Sequence, residues 1–192
     1  MSMDATEIET VRRDTIAWLE RAVIGLNLCP FAKAVHTKGQ VHLAVSAARH
    51  ADAVEADLRR ELLDLLALDA SVRDTTLLVL PQALADFLDY NDFLDQADAV
   101  LEELDPDGEI QIASFHPDYQ FAGTAPDDVT NCSNRSPYPI LHLLREDSVE
   151  RAVQAVPDAA DIFERNMETL RKLGPQGWAA LGVGRSRGEG AA

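Results

Sequence analysis

The chain has 192 residues, 46% of them hydrophobic, which is enough for one sizeable core and short for two. Its 33 acidic and 17 basic residues give a formal net charge of -16, which repels phosphate backbones and anionic membranes at long range. Nucleic acid and membrane surfaces are therefore excluded as expected partners.

Cys29 and Cys132 are far apart in sequence and make no disulfide framework, so both are expected as reduced thiols. The opening M-S-M-D-A-T-E-I-E-T is acidic and polar, unlike a secretory or transit segment, and no stretch reaches the ~18 apolar residues of a membrane span. The expected compartment is the cytoplasm.

Asp4 and Glu7 have capping-box spacing, and Ile8, Val11, Trp18, Leu19, Ala22, Val23 and Leu26 then recur at helical period. This predicts a long amphipathic first helix, ended at Asn27 and the Cys29-Pro30 step. Val41, Leu43 and Val45 alternate with His42 and Ala44 as in a strand with one better-buried face. Residues 49–68 carry Val54, Leu58, Leu62 and Leu65 on one helical face. The unbroken run 75–80 before Pro81 suits a central strand covered on both faces. Residues 84–104 read as a third helix, whose series Asp86, Asp89, Asp92, Asp95 and Asp98 predicts a solvated acidic side, and Asp105 to Gly108 reads as a turn.

Two further strands, 110–115 and 140–144, flank a long loop, and two helices follow at 147–156 and 158–173, separated by Pro157 and closed by Gly174-Pro175. Residues from 182 onward have no period and read as a disordered tail, leaving 1–181 as one globular domain. The order of elements predicts an α/β (or α+β) fold: a single-layer mixed four-stranded sheet flanked by helices, with an extra N-terminal helix. Without that helix the order is also that of a thioredoxin-like topology. Cys29-Pro-Phe-Ala, however, lacks the second cysteine of a C-x-x-C motif.

Residues 113–139 stand out as the site-bearing stretch. A loop this long without periodicity is functional or disordered, and Phe115, Tyr119 and Phe121 argue for order. Pro117, Pro126, Pro137 and Pro139 stiffen it, as a preorganised site requires.

Four stretches, W-L-E-R-A-V-I-G-L-N-L-C-P-F-A-K from Trp18, D-F-L-D-Y-N-D-F-L-D from Asp86, A-S-F-H-P-D-Y-Q-F-A-G from Ala113 and N-R-S-P-Y-P from Asn134, resemble a bacterial family known as domain of unknown function 1415. The resemblance covers nearly the whole chain. It implies a stand-alone soluble bacterial protein and brings no activity, cofactor or catalytic residue with it.

Within the loop, His116 and Asp118 can form an acid/base pair; alternatively Asp118 caps the turn after Pro117 and His116 bonds a carbonyl. No metal is assigned, because a third and fourth ligand from His36, His42, His142, Asp127 or Asp128 would have to be gathered by the fold. Arg135 offers a planar fork for an anion or pairs internally with Asp118, Asp127 or Asp128. Asn131, Asn134, Tyr119 and Tyr138 complete the expected binding set, and Cys29 reads as a small buried residue. The resulting expectation is an enzyme acting on a small anionic metabolite at this loop. The alternative is a non-catalytic module that uses the same loop and the acidic helix to bind a ligand or a protein.

Overall fold

The computed structural model describes residues 3–105, 107–155 and 161–186. The first helix, α1 (Ala5–Trp18), starts at the expected capping box: the Asp4 carboxylate accepts from the Glu7 amide, and the Glu7 carboxylate accepts from the Asp4 amide, both at 2.8 Å. It runs on into a π-helical turn, Leu19–Ile24, whose wider spacing is closed by bonds such as Gly25 N to Glu20 O. The turn leaves Trp18, Leu19, Ala22 and Val23 all buried on one side. Asn27, with φ 53°, then turns the chain. A short helix, α2 (Ala32–Thr37), follows where no helix was expected. It has no side-chain cap and buries no residue fully, so it lacks the two signals from which a helix is read.

β1 (Val41–Val45), α3 (Ala51–Ala67) and β2 (Thr75–Val79) form a parallel crossover unit in which Val41 pairs with Thr75 and Val45 with Val79. α4 (Phe87–Leu104) leads to β3 (Ile110–Phe115), and β4 (Ile140–Arg145) returns between β2 and β3, antiparallel to both. The sheet is therefore mixed, with order β1-β2-β4-β3. Every residue of β2 is buried, as its unbroken apolar run predicts for a central strand. One sheet face carries α3 and α4: Val54, Leu58, Leu62, Leu65, Tyr90 and Phe93 pack over Leu78, Leu141 and Leu143. The opposite face carries the first helix: Val11, Trp18, Leu19 and Ala22 cover Leu43, Leu77, Val79 and Ile140. Each fully buried leucine contributes about 1.5–3 kcal/mol, so these two layers hold the sheet between them.

α5 (Glu146–Ala155) leaves β4 directly, and α6 (Ile162–Ala180) lies against the long loop through Met167 and Leu170, which pack on Leu28 and Cys132. At Gly174 (φ 68°) the chain leaves helical geometry and re-enters it with Pro175 at the start of a second segment reaching Ala180. The expected stop is thus a kink. Past it, Val183 is buried and Ser186 bonds the Asp14 carboxylate, so residues 182–186 pack on the domain; 187–192, and Pro157 between the last two helices, lie outside the described residues. No helix among the described residues is long and apolar enough to cross a membrane.

Candidate functional site

The loop between β3 and β4 is ordered by its own polar side chains. Tyr90 fastens both ends, accepting from the Phe115 amide at 3.1 Å and donating to the Ile140 carbonyl at 2.8 Å. His116 is fully buried between Phe87 and Tyr90. Its Nδ1 accepts from the Asp118 amide at 3.0 Å, so its Nε2 carries the proton and donates to the Leu84 carbonyl at 3.1 Å. Burial pushes this imidazole below its ordinary range. The Asp118 side chain itself is exposed. Asn131, fully buried, accepts from the Phe121 amide and the Thr124 hydroxyl and donates to the Ala125 carbonyl. Asn134 donates to the Ser114 carbonyl at 3.1 Å. Arg135 forms no ion pair with a carboxylate among the described residues; it donates instead to the Tyr119 carbonyl (3.1 Å) and the Pro126 carbonyl (2.6 Å). Tyr119 meets Phe87 at a tilt and Phe121 edge-on, and the Tyr138 hydroxyl donates to Asp14 at 2.8 Å. Tyr138-Pro139 is trans.

Of the expected site residues, Arg135 and Tyr138 meet at one cavity of about 440 Å³, which His116 and Asp118 do not line. A larger cavity, about 580 Å³, opens over the sheet face covered by α1 and beside α5. Trp18, Leu19, Val23 and Phe115 form much of its wall, and the π-helical turn contributes Leu19 and Val23 to it. The size and mainly apolar lining are those of a small-molecule pocket.

His142, from the middle of β4, lies in this larger cavity. Thr75 Oγ1 stands 2.6 Å from the Leu143 carbonyl and 2.7 Å from His142 Nε2. The carbonyl can only accept, so the one hydroxyl proton goes there and His142 Nε2–H donates to Thr75. Nδ1 is left as a bare acceptor. It has no protein partner, yet Thr76 Oγ1 is the buried side-chain polar atom without a partner among the described residues, so Nδ1 is open to the cavity. The ring is only half-buried by surface area because the cavity reaches it, but protein surrounds it closely enough that poor hydration pushes its pKa down to about 4.

The cavity's charge is opposite to that of the chain. Lys38, Arg145 and Arg151 line it against a single carboxylate, Asp74, and Asp74 is taken by the Ser148 hydroxyl at 2.5 Å. Arg145 is spent on the Leu65 and Leu68 carbonyls at the end of α3 and on the Arg73 carbonyl just before β2. Lys38 and Arg151 have no carboxylate within ion-pair distance among the described residues, although Arg151 donates to the Ser148 hydroxyl at 2.9 Å, and both are exposed at the rim. Cys29 also lines the cavity, half-buried, with its thiol pushed up by burial against the smaller opposing pull of the Phe31 and Ala32 amides. It is a protonated thiol at neutral pH. No group of three or more His, Cys, Asp or Glu side chains able to hold a metal occurs among the described residues. His36 pairs with Glu20, and His42 lies 3.5 Å from Glu61.

Sequence reasoning placed the site between the strands and considered His142, on one of them, only as a metal ligand that the fold would have to gather. The available signal was a lone imidazole in the apolar run P-I-L-H-L-L. A family model described as a protein of unknown function (DUF1415) matches residues 10–180. No curated protein and no solved structure matches the chain.

Proposed function

Since the chain belongs to this DUF1415 family of unknown function, we propose from its cavities that it binds a small amphipathic anion, an apolar body with one carboxylate or phosphate, over His142. The observation that carries this reading is the inverted charge of an apolar cavity in a chain of net charge -16. The apolar wall takes the body of the ligand, Lys38 and Arg151 at the rim take the anion, and the neutral Nδ1 of His142 accepts a hydrogen bond from a donor on the ligand.

Binding is favoured over catalysis by the weak basicity of His142, since a general base with a pKa of about 4 is poorly matched to neutral pH. An anion held beside the ring raises that pKa, which is the route by which the same site becomes a proton acceptor in an enzyme.

The test is thermal denaturation in a series of straight-chain carboxylates from acetate to decanoate. At a hundred times its Kd a bound ligand adds about 2.7 kcal/mol, or roughly 5–10 °C for a domain of this size. Octanoate is expected to stabilise and acetate not to, with the gain abolished in the Lys38→Ala/Arg151→Ala double variant. Stabilisation by none of the series, or an undiminished gain in the double variant, refutes the reading.

A further inference from the structure

Resting on the amphipathic-anion reading of the larger cavity, we infer that its occupant is a hydroxy acid, whose hydroxyl group donates to His142 Nδ1 from within the apolar body and sets it apart from the unsubstituted and oxo acids of the same length. The wall offers acceptors to a ligand where it has spent its own donors. Trp18 gives its indole N–H to the Arg135 carbonyl at 2.9 Å. Thr75 gives its hydroxyl proton to the Leu143 carbonyl, and Ser148 gives its own to Asp74. Cys29 keeps a thiol proton, which is a weak donor. The charged donors Lys38 and Arg151 lie at the exposed rim, apart from the half-buried imidazole. His142 Nδ1 is thus an acceptor whose partner has to come with the ligand.

Four kinds of ligand fare differently over that atom. A plain alkyl chain strips the water from Nδ1 and returns nothing, so part of its apolar gain is lost to an unmet acceptor. An oxo group sets one acceptor against another and is worse. An ammonium group supplies a donor, but it brings a second charge into a poorly hydrated cavity that already holds Lys38, Arg145 and Arg151. A hydroxyl group supplies the donor without the charge. The ring is neutral at physiological pH, so Nδ1 keeps its lone pair there. It is also held in one orientation: Nε2–H is fixed on Thr75 at 2.7 Å, and the Phe115 ring stands 6.1 Å away, centre to centre. A fixed acceptor at a set depth below the rim cations favours one hydroxyl position along the chain, and such preorganisation costs the protein little on binding.

The test is isothermal titration calorimetry of the full chain at neutral pH with octanoate, its monohydroxy isomers from C2 to C8, and the oxo acid that matches the tightest isomer. One isomer is expected to bind at least about threefold tighter than octanoate, the order of one neutral hydrogen bond, and its oxo counterpart no tighter than octanoate. In His142→Phe, which keeps a planar ring and removes the acceptor, the hydroxyl gain should vanish, the two Kd values coming within about twofold of each other. Octanoate binding with no isomer reaching that threefold gain, or with the oxo acid sharing it, overturns the hydroxy-acid assignment and leaves the amphipathic-anion reading standing. A gain undiminished in His142→Phe overturns the role of Nδ1. Binding by no member of the series, octanoate included, brings down the anion reading and this assignment with it. The wild-type series remains decisive if His142→Phe fails to fold.

Discussion

Acid should destabilise this protein through His142 in a definite window. The unfolded imidazole titrates near its ordinary value of 6.5, and the folded one near 4. Below the higher value the unfolded state binds the proton that the folded state refuses, so stability falls as pH falls and the loss saturates once the pH passes the lower value. At 1.36 kcal/mol per unit, the loss is about 2 kcal/mol by pH 5 and about 3 kcal/mol by pH 4. His142→Gln removes the titration while leaving an amide able to donate to Thr75. Urea midpoints of both proteins at half-unit steps from pH 7 to pH 4 isolate the effect, since acid loss from carboxylates and from the depressed His116 and His42 is common to the two. The wild type should lose the extra 2 kcal/mol by pH 5. Parallel curves over the whole range refute the poor hydration of the ring. A bound anion should reduce the difference, because it favours the protonated ring.

Asn131→Ala leaves the Phe121 amide and the Ala125 carbonyl without their side-chain partner, while the Thr124 hydroxyl keeps the Phe121 carbonyl, and is expected to cost about 2 kcal/mol, read as a fall of roughly 4–8 °C in Tm. His116→Ala removes a buried ring and its two loop bonds and should lower Tm by a similar amount by differential scanning calorimetry. In native protein at neutral pH, iodoacetamide should modify Cys29 slowly and Cys132 more slowly still, by intact-mass measurement. Raising the pH to 9 should accelerate Cys29, and octanoate should protect it.

Much of the fold is legible because its strongest signals are local. The capping box at Asp4, the alternation of Val41 to Val45 and the unbroken run of β2 each state their element without reference to the rest of the chain. The acidic side of α4 is as the spacing implies, with Asp89, Asp92, Asp95 and Asp98 exposed and Asp86 capping the helix. The site is legible only in part, because a polar residue in a loop has the same identity whether it meets a ligand or a backbone carbonyl. Asn131 and His116 belong to the second kind in this structure, and only the partners at Phe121, Ala125 and Leu84 reveal it. The larger cavity joins residues from Trp18 to Ala152 through sheet order, which no single stretch encodes. His142 reads as part of a hydrophobic strand until Thr75, opposite Leu144 on the neighbouring strand, is seen to orient it.

The last strand to be synthesised is not an edge strand. β4 lies between β2 and β3, and β3 pairs with no other strand among the described residues, so a chain ending before residue 140 holds a parallel pair and an orphan with a vacant slot between them. Nothing local can fill that slot, and a vacant slot bordered by apolar, hydrogen-bonding edges invites another chain. Cooperative folding must therefore wait for residues 140–145. Nascent or truncated chains lacking them should aggregate, and refolding should be set by the late insertion of one central strand, not by the earlier βαβ unit.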